Sequence, residues 1–319
     1  MTRVLAEMTE AEALAAILPI LPRGTRTLLG PGDDAAVLAF GDARAVISTD
    51  TMIEGPDFRR DWATPFDLGW KIVAVNLADI AAMGATPTGA VLALAAPGDM
   101  PLDDVVELSR GIAAAIADLA PGFGIIGGDL ATSPTLTLAM TVFGELDGRA
   151  PVQRSGARAG DIVAHAGRRG TSARGLARLF AEADSGNPAA DRAAAAQLRT
   201  DVNVFAHLRP EPPIEAGRAA AEAGATAMLD VSDGLAQDAQ RLARASGVGI
   251  DFSESVRDEW ELHGGEDHGL LATFPPDAAI PNAFSVVGIA TPESGVIRWR
   301  GDVIHPRRWE ALAGERQGD

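Results

Sequence analysis

The sequence predicts a two-domain chain of the α/β (or α+β) class, on three observations. Segments with helical and with strand-like apolar spacing alternate through both halves. A stretch dense in Gly, Pro and Arg, "DGRAPVQRSGARAGD", breaks that alternation near residue 150. The 319 residues, 47% hydrophobic and 22% charged, are enough for two packed cores and too apolar for a disordered chain. The expected division is 1–148, a sheet-forming N-terminal domain, and 149–319, a C-terminal α/β domain.

Taken in order, "MTRVLAEMTEAEALAAILPILP" reads as a short amphipathic helix, since Glu10, Glu12, Pro19 and Pro22 interrupt its apolar part, and a signal peptide is not expected. Residues 45–53 read as a strand running into a loop. Thr64 to Gly84 has helical spacing, with Pro65 suited to a first turn. "TGAVLALAAP" is a buried strand, 102–119 an Ala-rich helix, and 123–126 a short strand ending in "GGD". The alternation in 135–146 marks a half-buried strand. In the second half "DIVAHAG" is a strand and "TSARGLARLFAEA" a helix, followed by a polar, Ala-rich stretch to about Leu208. A helix after Pro213, the "TAMLDVSDG" strand and turn, and a helix from Leu235 precede strands near 248–252, 269–274, 284–289 and 295–299.

The bulk charge narrows the functional classes. Against 44 acidic residues stand 27 Lys and Arg, a formal charge of −17, so a nucleic-acid-binding surface is not expected. No apolar run reaches the length of a membrane span, and the cytoplasm is the expected compartment. The absence of cysteine removes disulfides, zinc-thiolate sites, iron–sulfur clusters and thiol catalysis. An anionic substrate would need metal ions or a local Arg/Lys cluster to invert the field.

Aspartates recur where apolar segments meet turns: Asp34 in "LLGPGDDAAVL", Asp50 in "STDT", Asp79 in "NLAD", Asp129 in "IGGD", and Asp230 and Asp233 in "DVSDG". Taken singly these are ordinary features: a helix N-cap for "VSDG", a solvated helix carboxylate for "NLAD", turns for the glycine-flanked pairs. Their repetition in both halves suits several Mg²⁺ ions around a polyphosphate, since Mg²⁺ takes oxygen ligands and is held by one or two carboxylates plus substrate phosphates. Neither a GxxxxGK[ST] loop nor a GxGxxG turn after a strand is present, and the protein-kinase motif set is missing.

Together, "LLGPGDDAAVL", "ISTDT", "KIVAVNLADIAAMGA", "IGGD", "RSGARAGD", "LDVSDGLAQD" and "HGGEDHGLLATF" resemble the thiamine-monophosphate kinases, of the ATP-binding superfamily typified by aminoimidazole ribonucleotide synthetase. The resemblance runs in the family's order from about Leu28 to Trp309. It implies that superfamily's two-domain fold, a homodimer formed through the N-terminal sheets, an ATP site where those domains meet, and direct phosphoryl transfer from Mg·ATP to thiamine monophosphate. It also implies Mg²⁺ positions at Asp34, Ser48, Thr49, Asp50, Asp79, Asp129, Asp230 and Asp233, and nucleotide positions at Thr49, Gly128, Asp129, Arg154 and Ser232. Asp50, Asp129, Arg154 and Asp233 are the residues it implies for catalysis, with Asp57, Glu266 and Trp309 on the acceptor side. The attacking phosphate oxygen is already ionised near neutral pH, so no strong general base is required. One departure stands out: the family's "EGVHF" is here "EGPDF", which puts Asp57 where a histidine is usual. His268, in "GGEDHGL" against the commoner "GGEDYEL", is expected to be a packing residue. The alternatives are an enzyme of the same superfamily with another acceptor, and a nucleotide-responsive regulator.

Overall fold

A computed structural model describes residues 3–31 and 35–306, apart from the side chains of residues 10 and 11. Asp34 and Trp309 therefore lie outside the described residues.

The N-terminal half opens with α1 (Glu10–Ile17), whose Thr9 and Glu12 form a reciprocal capping box. Strands β1 (Thr27–Leu29) and β2 (Val37–Leu38) then pair as a small antiparallel hairpin. The main elements are β3 (Val46–Ile53), α2 (Pro65–Ala82), β4 (Thr86–Ala96), α3 (Leu102–Leu119), β5 (Ile125–Thr132) and β6 (Thr137–Glu145). The sheet order is β3-β6-β4-β5, antiparallel except for the β4–β5 pair. Both long helices cover one face of it. Along β3, Ser48, Asp50 and Met52 are shielded while Ile47, Thr49, Thr51 and Ile53 are exposed, the two-residue alternation of a strand covered on one side.

Helix α2 is apolar nearly all round, which suits an interior position rather than a surface one. It starts at a second capping box, Thr64 with Asp67, and carries Pro65 in its first turn. It meets α3 through two glycines. A Cβ on Gly69 would sit 2.0 Å from the Leu108 carbonyl oxygen, and one on Gly111 would sit 2.0 Å from that of Phe66.

The C-terminal half contains β7 (Ile162–Ala166), α4 (Thr171–Glu182), α5 (Pro188–Leu198), α6 (Val202–Leu208), α7 (Ile214–Glu222), β8 (Ala227–Val231) and α8 (Leu235–Ser246). After them come β9 (Gly249–Phe252), α9 (Glu259–His263), β10 (Gly269–Phe274), β11 (Phe284–Thr291), β12 (Ile297–Trp299) and β13 (Asp302–Ile304). Its seven-stranded sheet has the order β13-β12-β9-β11-β7-β10-β8, with only β9 and β12 parallel. One face packs on α8 through Val163, Leu229 and Leu271. The other, with Ala164, Met228 and Leu270, joins a core that continues through α4 to the N-terminal helices. Asp67 ties the halves together: fully buried, it accepts from both terminal nitrogens of Arg199, at 2.7 and 2.6 Å, and from Arg209 Nε at 2.5 Å.

Two segments depart from the sequence reading. The polar stretch after residue 183 forms α5 and α6, each started by a side-chain cap, Asn187 and Asp201. The "GGD" run is not a turn after a short strand but the middle of β5, which pairs with β4 as far as Thr132. An edge strand tolerates the glycines and an exposed carboxylate where a central strand would not.

Candidate active site

Lys71, Val75 and Asp79 recur every four residues on α2 and so share one face. That face is one wall of a cleft of about 380 Å³. The opposite wall is Asp50 of β3 and Asp57 of the loop that follows it. The C-terminal half closes the cleft with Asp230 and Ser232 at the end of β8, and with Glu266 and His268 just before β10. Arg154, from the connecting segment, reaches its rim.

The carboxylates crowd one pole. Ser48 donates its hydroxyl to Asp79 at 2.6 Å, and Asn76 accepts the Asp50 backbone N–H at 3.2 Å while donating to the Ile72 carbonyl at 2.8 Å. Burial, then the neighbouring Asp230 charge, pushes the Asp79 carboxyl up to about 6. Burial chiefly, with Asp230 and Glu266 nearby, raises Asp50 in the same direction. Like charges held together out of water need a cation.

The other pole is already neutralised. The Lys71 ammonium lies 2.7 Å from a Glu266 carboxylate oxygen, and despite burial it holds that carboxyl down at about 2. Glu266 sits at φ 67°, in the left-handed region, and its N–H donates to the Ser232 carbonyl at 2.9 Å. The next residue, Asp267, accepts from the N–H groups of Thr171 and Ser172 at 3.0 and 2.9 Å, so the "GGEDH" loop is docked on the start of α4. His268, also at positive φ, is buried with its Nδ1 3.9 Å from Asp230 and its ring nitrogens without a hydrogen-bond partner.

The expected site residues divide accordingly. Asp50, Asp57, Asp79, Arg154, Asp230, Ser232 and Glu266 line the cleft, with Ser48 bonded to Asp79 behind it. Asp57 is turned onto its own loop, accepting the Ile53 N–H at 2.8 Å. Thr49 points to the opposite face of the sheet, where Thr141 donates to its hydroxyl at 3.1 Å. Asp233 lies off the cleft, paired with Arg241, while its N–H donates to Asp238 at 2.9 Å. Gly128 and Asp129 line a separate apolar groove beside α1, on the far edge strand.

Two cleft residues escape the motif reading. His268 reaches the wall through its unusual backbone conformation. Lys71 left a signal in the composition: it is the one lysine in a chain with 26 arginines.

The donor set suits a hard cation: carboxylates and a hydroxyl, with no thiolate among the described residues. In the observed arrangement no three carboxylate or histidine groups among the described residues close around one point. Such a set fits ions held by one or two side chains and completed by substrate oxygens rather than a protein cage.

Comparison with known proteins agrees in both halves. Residues 32–146 match the AIR synthase related protein N-terminal domain, and 158–295 the C-terminal domain. Thiamine-monophosphate kinase of Mycobacterium tuberculosis is 42% identical over 295 residues, covering 86% of this chain and 83% of that protein. The Bacillus subtilis enzyme of that name is 33% identical over 83% of each chain. Among solved structures, thiamine monophosphate kinase from Aquifex aeolicus superposes with a TM-score of 0.70 at 28% identity, covering 84% of this chain and 91% of that one. AaThiL complexed with AMPPCP and TMP gives 0.72 at 29%, covering 87% and 90%. The hydrogenase maturation protein HypE shares the fold, at 16% identity and a TM-score of 0.68 over 94% and 98% of the chains.

Proposed function

Since this chain belongs to the thiamine-monophosphate kinase family of AIR synthase related proteins, we propose that its cleft transfers the γ-phosphoryl group of ATP to thiamine monophosphate, giving thiamine diphosphate and ADP. The observation that carries the reading is the arrangement of the cleft: Asp50, Asp79 and Asp230 without a Lys or Arg ion pair among the described residues, and a neutralised Lys71–Glu266 pair on the same helix face.

Asp50, Asp79 and Asp230, with the Ser48 hydroxyl, are the residues that would hold Mg²⁺. The chemistry the ions would supply is neutralisation and alignment of the phosphates for an in-line transfer. Arg154 adds a fixed cation at the rim, and Ser232 presents a hydroxyl beside it. The acceptor oxygen arrives ionised, so neither His268 nor any carboxylate has to remove a proton. Glu266 faces the organic end of the acceptor. Asp57, held by its bond to the Ile53 N–H, keeps its charge turned toward the loop and away from the incoming phosphate.

Asp129 enters the same reading through dimerisation. A homodimer formed through the open sheet faces would let β5 of one copy meet the cleft of the other. The division at 148/149 follows, the first domain carrying the dimer face and most of the carboxylates and the second closing over the acceptor. A cytoplasmic enzyme without nucleic-acid partners completes the picture, and no helix among the described residues is long and apolar enough to cross a membrane.

Chromatography of purified protein incubated with Mg·ATP and thiamine monophosphate tests the reading. Thiamine diphosphate and ADP are expected in equal amounts. ADP without the diphosphate, or neither product despite bound Mg·ATP, would assign the cleft to another acceptor.

A further inference from the structure

The Lys71–Glu266 pair, at 2.7 Å, is the tightest ion pair among the described residues that line the cleft. A lysine only 6% exposed, in the middle of a helix packed on all sides, is costly unless it is fully partnered. Elsewhere the chain uses arginine, a planar fork, at every cationic position. Here it uses a compact ammonium that meets a single carboxylate oxygen.

That carboxylate is set with equal care. Glu266 takes a left-handed backbone conformation that a non-glycine residue adopts only when its surroundings hold it there. On one side its N–H is bonded to Ser232, and on the other the adjacent Asp267 caps α4. Lys71 lies two helical turns from Asp79, about 12 Å along α2, so the pair and the carboxylates stand at different levels of the same helix face. If phosphoryl transfer takes place at the carboxylates, the remainder of the acceptor extends to Glu266.

We propose that Lys71 is a positioning residue for acceptor recognition: its ammonium holds the Glu266 carboxylate in a fixed direction, as the hydrogen-bond acceptor for the amine-bearing end of the substrate. Without it, Glu266 would share a crowded acidic cleft with Asp50 and Asp230, take up a proton, and lose both its charge and its direction. The inference rests on the proposed acceptor, thiamine monophosphate, and product formation by the unmodified protein is therefore checked first. Failure at that stage would overturn the assigned reaction. Failure of the following comparison would overturn only the role of Lys71.

Steady-state kinetics of Lys71→Met and Lys71→Arg are compared with the parent protein, varying each substrate separately. Lys71→Met is expected to raise KM for thiamine monophosphate more than tenfold while KM for Mg·ATP changes less than twofold. The acidic limb of its kcat/KM for the acceptor should move to higher pH, and Lys71→Arg should recover part of the loss. Equal rises in both KM values, or a lowered melting temperature with unchanged acceptor KM and pH profile, would make the pair merely structural. A second readout needs no variant. Protein labelled with [ε-¹³C]lysine has one lysine resonance, and it should shift with thiamine monophosphate and stay in place with Mg·AMPPCP. The opposite pattern would place Lys71 on the nucleotide side.

Discussion

Asp79 shows how a single residue carries a testable energy. Its carboxyl is raised from 3.8 to about 6 by burial and by Asp230, so in this pH window the folded chain binds a proton that the unfolded chain has released. Asp79 therefore contributes stability that grows as the pH falls from above 6 toward 4, by on the order of 2 kcal/mol. The raised His268 acts in the same direction, because its protonated form is favoured in the fold. Asp238, raised to about 7 by burial, also acts in this direction, whereas His165 and His207, held neutral by burial at about 3, oppose it as the pH falls through 6.5. Glu266 and Asp67, both lowered, oppose it only below the ordinary carboxylate range. In EDTA the parent protein should gain ~1 °C in melting temperature over Asp79→Asn on going from pH 7.5 to pH 5.5. Saturating Mg²⁺ should raise the parent's pH 7.5 value and remove that difference between the two proteins, and Asp79→Asn should cut turnover more than tenfold. Parallel melting profiles for the two proteins in EDTA, read by scanning fluorimetry, would mean that the carboxylate pole is relaxed without metal.

At the scale of elements, α2 positions the whole cleft. Its capping box fixes where it starts, its apolar surround centres it between the two sheets, and its four-residue spacing lines up Lys71 with Asp79. The α2–α3 crossing is close because Gly69 and Gly111 each face a carbonyl of the other helix, leaving no room for a methyl group. Gly69→Ala should cost about 2–3 kcal/mol of stability, from overpacking, and reduce kcat because α2 must move away from Asp50. Denaturant melts and kinetics check both parts, and a neutral substitution would show that the crossing has slack. The elements themselves were largely legible: α2, α3, β4 and β6 lie where periodicity put them. Helices α5 and α6 were not, since the alanines of α5 make no strong apolar stripe and α6 is only seven residues long; the Asn187 and Asp201 caps mark their starts.

For the whole molecule, the decisive geometry is the separation of Asp50 from Asp129. They occupy opposite edge strands of the N-terminal sheet, three strand spacings or about 14 Å apart. They also face opposite ways: Asp50 shares its side with Met52, while Asp129 alternates with Leu130, which packs on the core. One chain does not bring them together, whereas a symmetric pair of chains could. If the site is shared, co-expressed Asp50→Asn and Asp129→Asn subunits should recover roughly a quarter of parent activity, although each variant alone is nearly inactive. Mixtures as inactive as the separate variants, or a monomer by light scattering under assay conditions, would remove Asp129 from the site.

By itself the sequence determined the alternation of elements, the ordered acidic motifs with their oxygen-only chemistry, and the family. Each is written in neighbouring residues, through spacing, side-chain type or order along the chain. Only the tertiary structure decided which of those acids meet. Periodicity separates Ser48 and Asp50 from Thr49, but what covers each face of β3 depends on helices far along the chain. The same holds for Asp233, drawn away by Arg241, and for Lys71, whose partner stands 195 positions later and is brought beside it by the packing of the C-terminal half on α2.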